Sequence, residues 1–108
     1  MPTRSDIKRY ILERAVVSIS DQALSAYRLV ENLHTVGLGD GDPSMSAAKE
    51  LRLDLLRTKG DLERELSRWV LDCRLCHRKV HWVPGIAAEP GHWSHREPAP
   101  DHHIPVLG

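Results

Sequence analysis

The sequence predicts a mainly α protein: an antiparallel helical hairpin, then a small zinc-finger or zinc-ribbon module, then an extended tail rich in proline and histidine. Three observations predict it. Apolar residues recur at helical spacing through most of the first 73 positions, and a cluster of glycine and aspartate interrupts them at 37–43. After Cys76 the composition changes, with five of the seven prolines and six of the seven histidines in the last 32 residues.

In the first helix, expected over about 4–36, Ile7, Tyr10, Ile11, Val17, Leu24, Tyr27, Val30 and Leu33 recur at steps near three, four and seven. Ser18-Ile19-Ser20-Asp21 interrupts this stripe, and Ser20 can cap a new helix, so one bent helix and two short ones both fit; one long element is favoured. Gly37, Gly39 and Gly41 with Asp40 form a turn, and Asp42 before Pro43 is a good helix start. The second helix is expected over about 43–73, with Leu51, Leu55, Thr58, Leu62, Leu66, Trp69 and Cys73 as its buried face. Lys59, Glu63 and their charged neighbours read as a solvated face with pairs along the helix. Beyond it, Val80, Trp82 and Val83 suit a short strand, Pro84-Gly85 a turn, and the tail from Pro98 an extended or disordered segment. The expected units are therefore a hairpin at 1–72, a zinc module at 73–97 and a flexible tail at 98–108.

Lys and Arg number 15, as do Asp and Glu, so no global field draws the chain to nucleic acid or an anionic membrane; such binding would have to be local. Phenylalanine is absent, which leaves a small aliphatic core that a metal staple would help. Two cysteines three residues apart brace no large loop, and residues 1–6 lack the apolar run of a secretory signal. A soluble protein of the reducing cytoplasm is the expectation, because no stretch is apolar for long enough to span a bilayer.

Cys73-Arg74-Leu75-Cys76 is followed after fifteen residues by His92-Trp93-Ser94-His95. Two thiolates three residues apart bend around one ion, and a second pair closes a tetrahedron, which is the pattern of structural zinc. The favoured ligands are Cys73, Cys76, His92 and His95 for one Zn²⁺ per chain. His81, His102 and His103 are alternates, and His95 with His102 or His103 is a competing set. Solvated surface is the plainer reading of His77, His102 and His103.

Other chemistries use the same residues. Cys73 to His77 matches the c-type haem attachment pentapeptide, but no export signal accompanies it. A catalytic zinc would need an open position and a base such as Glu89 or Glu97, yet four good ligands close the sphere. A thioredoxin-like thiol pair would precede a helix, and this one is expected to follow it. Arg74, Arg78 and Lys79 with Trp82 can grip phosphates and stack on bases. At the hairpin tip, Asp40 and Asp42 can reach a basic or metal-bearing partner site, although turn chemistry explains both.

Helix, acidic turn, helix and then Cys-x-x-Cys resembles the DksA/TraR family in architecture over residues 4 to about 80, with Asp42-Pro43, Ala47, Cys73, Cys76 and Val80 matching its pattern. Met45 stands in place of that family's second tip aspartate, and His-x-x-His replaces its closing Cys-x-x-Cys. The resemblance implies a hairpin that enters the secondary channel of bacterial RNA polymerase. The stretch from Cys73 through Val80 to Trp93 and His95 is also similar to short bacterial and phage zinc-ribbon proteins of unassigned function. The sequence thus favours a non-enzymatic, zinc-binding regulatory or interaction module with a macromolecular partner. Nucleic-acid binding is the alternative, a metalloenzyme or haem protein a third class, and a homodimer is open because a second copy can complete the imperfect stripe.

Overall fold

The structure is a computed structural model that describes residues 3–97 and 103–107. Two helices, α1 (Arg4–Thr35) and α2 (Pro43–Leu66), form the hairpin, and three antiparallel strands follow, β1 (Val70–Asp72), β2 (Lys79–Val83) and β3 (His92–His95). The sheet order is β1-β2-β3, so the ribbon is a simple meander.

α1 opens with a capping box. Thr3 Oγ1 accepts from Asp6 N at 3.1 Å, and Asp6 Oδ2 accepts from Thr3 N at 3.1 Å. The Thr3 amide and the Thr3 hydroxyl, both donating to Asp6 Oδ2, hold the Asp6 carboxyl below its usual range. The helix runs unbroken through Ser18–Asp21: Ser20 caps nothing, and its buried hydroxyl instead donates to Val16 O at 2.7 Å. Asp42 caps α2 as the Asp-Pro pair predicts, its carboxylate accepting from Ser44 N at 2.8 Å.

The helix-helix seam is built from smaller residues than the apolar stripes suggest. Val16, Ser20, Ala23 and Ala26 are buried on α1 and Met45 and Ala48 on α2, while Lys59, Glu63 and Leu66 further along α2 are buried where the ribbon packs on it. Small side chains let two helices approach closely, so the larger Ile7, Tyr10, Ile11, Val17, Leu24 and Tyr27 fall outside the seam and are exposed. On α2, Leu51 and Thr58 are likewise exposed, whereas Leu66 is buried as expected.

The expected reach of α2 to Cys73 is corrected: the helix stops at Leu66. Ser67 Oγ turns back onto Glu63 O at 2.9 Å and also reaches Trp82 O at 3.2 Å, and β1 follows. The phase changes there from helical to alternating. Val70 and Asp72 are exposed, Leu71 is half-buried and Cys73 is buried, which is period two. β2 alternates in the same way, with Val80 and Trp82 inside and Lys79 exposed. Val16, Leu66 and Trp82 form the core where hairpin and ribbon meet, and Leu12, Leu62, Trp69 and Trp93 pack around it.

Candidate metal centre

β1 leads into a tight knuckle at 73–78. Cys73 N donates to Arg78 O at 3.0 Å and His77 N to Cys73 O at 2.9 Å, a wrap that places His77 at φ 60°, in the left-handed region. This turn swings Cys76 back toward Cys73. β3 brings in His95, paired with Val80 across the sheet, and the chain from Glu97 returns at His103.

Cys73, Cys76, His95 and His103 place one ligand atom each within 4.8 Å of one another. Cys73 Sγ lies 3.2 Å from His103 Nε2, Cys76 Sγ lies 3.4 Å from His95 Nε2, and the two imidazoles meet edge to face with centroids 5.0 Å apart. The four form a Cys2His2 group that can hold a metal ion. Arg74 N donates to Val106 O at 2.8 Å, so the segment 103–107 is docked on the knuckle. Cys73 is fully buried, and burial opposes its ionisation. The backbone amides of Val106 and Cys76 and the imidazoles of His103 and His95 outweigh that penalty and bring the thiol from 9.0 down to about 5. Such a thiol is ready to bind metal as thiolate.

His92 stands outside the group. It pairs with Val83, is exposed, and lies on β3. Residues three apart on a strand point to opposite faces, so His92 and His95 cannot close on one ion from β3. A His-x-x-His pair shares a face on a helix, not here. His81 also lies on the other face, its register partner being Ser94 while Val80 carries His95. Of the alternates, His103 is the one gathered in, and His102 lies outside the described residues. Cys73 comes after a strand, not at a helix end.

The remaining candidates are distributed as follows. Trp82 is 6% exposed; its ring meets Trp93 edge to face at 5.3 Å, and its Nε1 donates to Glu63 at 2.9 Å, so no base can stack on it. Arg74 is exposed. Arg78 and Lys79, with His77, Arg96 and Glu97, line a cleft of ≈350 Å³ on the outer side of the knuckle. Arg78 meets Glu97 at 3.4 Å and Lys79 meets Asp72 at 2.7 Å. At the hairpin tip, Asp42 is spent on its cap, and Asp40 pairs with Lys49, which holds its carboxyl below the usual range.

The group that sequence reasoning missed is Glu63. It is 1% exposed, pairs with the equally buried Lys59 one turn earlier, and through Oε2 accepts from Trp82 Nε1, from Gly85 N at 3.0 Å and from Gly91 N at 2.9 Å. Lys59 Nζ also donates to Gly85 O at 3.2 Å. The reading of both charges as solvated is therefore corrected, although their pairing along the helix stands. One carboxylate fastens both ends of the 84–91 loop to α2, and so fixes where β3 starts. A signal for it exists in the sequence: Glu63 shares a helical phase with Met45 and Leu66.

Comparison with protein-family models, with curated proteins and with solved structures gives no match for this chain. No helix among the described residues is long and apolar enough to cross a membrane.

Proposed function

We propose that the protein is a non-catalytic interaction module in which one structural Zn²⁺, held by Cys73, Cys76, His95 and His103, locks the knuckle, β3 and the 103–107 segment together. The observation that carries this reading is the convergence of four soft or borderline ligand atoms within 4.8 Å. In a zinc tetrahedron with Zn–S of about 2.3 Å and Zn–N of about 2.05 Å, the sulfur-to-nitrogen edge is about 3.5 Å. The two sulfur-to-imidazole separations of 3.2 and 3.4 Å lie close to that edge. Zinc supplies folding free energy to a ribbon too small to hold its own core. The hairpin, carried on this anchored base, contacts a macromolecular partner in the cytoplasm, and the transcription machinery is the candidate that the DksA/TraR resemblance suggests.

The test is zinc content by elemental analysis of protein purified without a histidine tag or added metal. One zinc per chain is expected. Outer-shell substitutions cost about 10 to 100-fold in metal affinity, so His103→Ala, which removes a ligand, should lose at least about 100-fold, and His92→Ala should lose nothing. A zinc-free native chain would sink the proposal, and equal losses in the two variants would overturn the ligand assignment.

A second reading rests on the cleft lined by Arg78, Lys79 and Arg96 together with His77 and Glu97, in which Arg78 already pairs with Glu97 and Lys79 with Asp72. It would grip a nucleic-acid backbone through phosphates without base stacking, since Trp82 is buried. Binding of mixed-sequence DNA or RNA that falls steeply with salt is its signature.

A further inference from the structure

We propose that a second copy of this chain covers one broad face of the hairpin, making a two-fold four-helix bundle. The hairpin is a single layer of helices, and the molecule measures 54 × 31 × 17 Å. Helical domains bury their faces between two layers. One face already has its cover: Trp93 Nε1 donates to Glu13 Oε1 at 2.8 Å, and Leu24 closes a cleft against Ile86, Ala87 and Ala88 of the ribbon loop.

The opposite face carries a groove of ≈390 Å³ between the helices, lined by Asp21, Gln22, Ser25, Ala26 and Leu29 of α1 and by Leu51 and Leu55 of α2. Leu29 is 44% and Leu51 50% exposed. The apolar line continues along α2 as Leu51, Leu55, Thr58 and Leu62, at steps of four, three and four, the repeat of a helix-helix seam. Leu62, at one end of that stripe, packs against the Val16–Leu66–Trp82 core, but Leu51 and Thr58 are exposed, and small Ser25 and Ala26 facing large Leu51 and Leu55 offer holes and knobs to a copy of the same surface.

Charge and area both point to a second copy. Gln22, Ala26, Leu51 and Leu55 line one groove and Arg52 lies over the Tyr27 ring, so in the antiparallel pair Arg28 falls within about a turn of Glu50 and Asp21 within about a turn of Arg57. A two-fold axis parallel to the helices lays α1 over the partner copy's α2 at unchanged height. Arg28 then comes level with Glu50 of the partner copy, and Asp21 with its Arg57, placing opposite charges at the rim of the face at both heights. Arg57 bonds Asp54 at 3.3 Å within the chain but is 72% exposed, so it is available for this exchange. With 24 residues, α2 is about 36 Å long, and two helices side by side present about 700 Å² per copy, near the roughly 800 Å² of a standard interface.

The experiment is sedimentation equilibrium of the full chain from low micromolar to near-millimolar concentration. A species of twice the 12.2 kDa chain mass is expected, and Leu51→Glu should make it monomeric with helicity unchanged by circular dichroism. Asp21→Arg and Arg57→Asp should each weaken the dimer by about tenfold, and the two together should restore it to within about threefold. A chain monomeric throughout would assign the face to a different protein and overturn the proposal. So would a dimer indifferent to Leu51→Glu, or a double variant no tighter than the singles.

Discussion

Glu63 ties α2 to β2 and to both ends of the 84–91 loop. A carboxylate 1% exposed is costly unless its charge is answered, and here Lys59 neutralises it while Trp82, Gly85 and Gly91 donate to it. Removing one member of such a buried pair leaves the other uncompensated. Glu63→Ala should therefore cost about 3 to 5 kcal/mol in urea unfolding, whereas exposed partners such as Asp54 and Arg57 should contribute less than about 1 kcal/mol. Burial raises the proton affinity of Glu63, but the Lys59 ammonium, the Gly85 amide and the Trp82 indole together pull it below its ordinary 4.5. A lowered carboxyl means that the unfolded chain binds the proton more tightly. The stabilisation is present above pH 4.5 and is lost as pH falls through the lower folded value. Acid titration of stability should show this loss in the native chain and a flatter profile in Glu63→Gln; identical profiles would count against the clamp.

At the scale of elements, glycine makes the contrast testable. A Cβ on Gly91 would collide with Val83 O and Glu63 Oε2, because the chain passes directly over the clamp, while one on Gly60 meets nothing within 4 Å. Gly91→Ala should destabilise by about 1 to 3 kcal/mol and disturb the Trp82–Trp93 pair in near-ultraviolet dichroism. Gly60→Ala, within α2, should stabilise by about 0.5 to 1 kcal/mol in thermal melts. The elements also divide what the sequence made legible from what it hid. The hairpin, its Asp42-Pro43 start and the Cys73–Cys76 knuckle follow from local rules, and β2 follows from its alternation. The candidate Cys2His2 group was legible only as the competing set of His95 with His102 or His103, not as the favoured one. Choosing His92 with His95 required the spacing of a helix or turn, but the segment is a strand whose register with β2 sends His92 away. His103 gave no local signal, since its role depends on Val106 docking against Arg74. Lys59 and Glu63 resembled ordinary surface charges because burial comes from the ribbon folding over them, a tertiary event that charge spacing does not report.

For the whole molecule, the two fastenings of the ribbon sit at different ends. Glu63 grips the loop at 84–91 from α2, and the Cys2His2 group gathers the knuckle, the end of β3 and the 103–107 segment. The sheet between them has only three short strands and little core of its own, so each fastening governs the order of its own neighbourhood. If the group holds the proposed zinc, removing it takes away the force that draws two thiolates and two imidazoles together, yet leaves every donor to Glu63 in place. Amide hydrogen exchange with and without a chelator reads this difference. Cys73, Arg74 and His77, whose amides are bonded within the knuckle or to Val106, should exchange at least about tenfold faster without metal, a loss of about 1.4 kcal/mol of protection. Gly85 and Gly91, bonded to Glu63, should keep their protection. Uniform loss across both sets would instead make hairpin and ribbon one cooperative unit, and no loss at the knuckle would mean that metal does not order it. The first pattern would leave the hairpin face and its charge pairs intact in the metal-free chain, so dimerisation through Leu51 should survive chelation while the 103–107 segment comes loose.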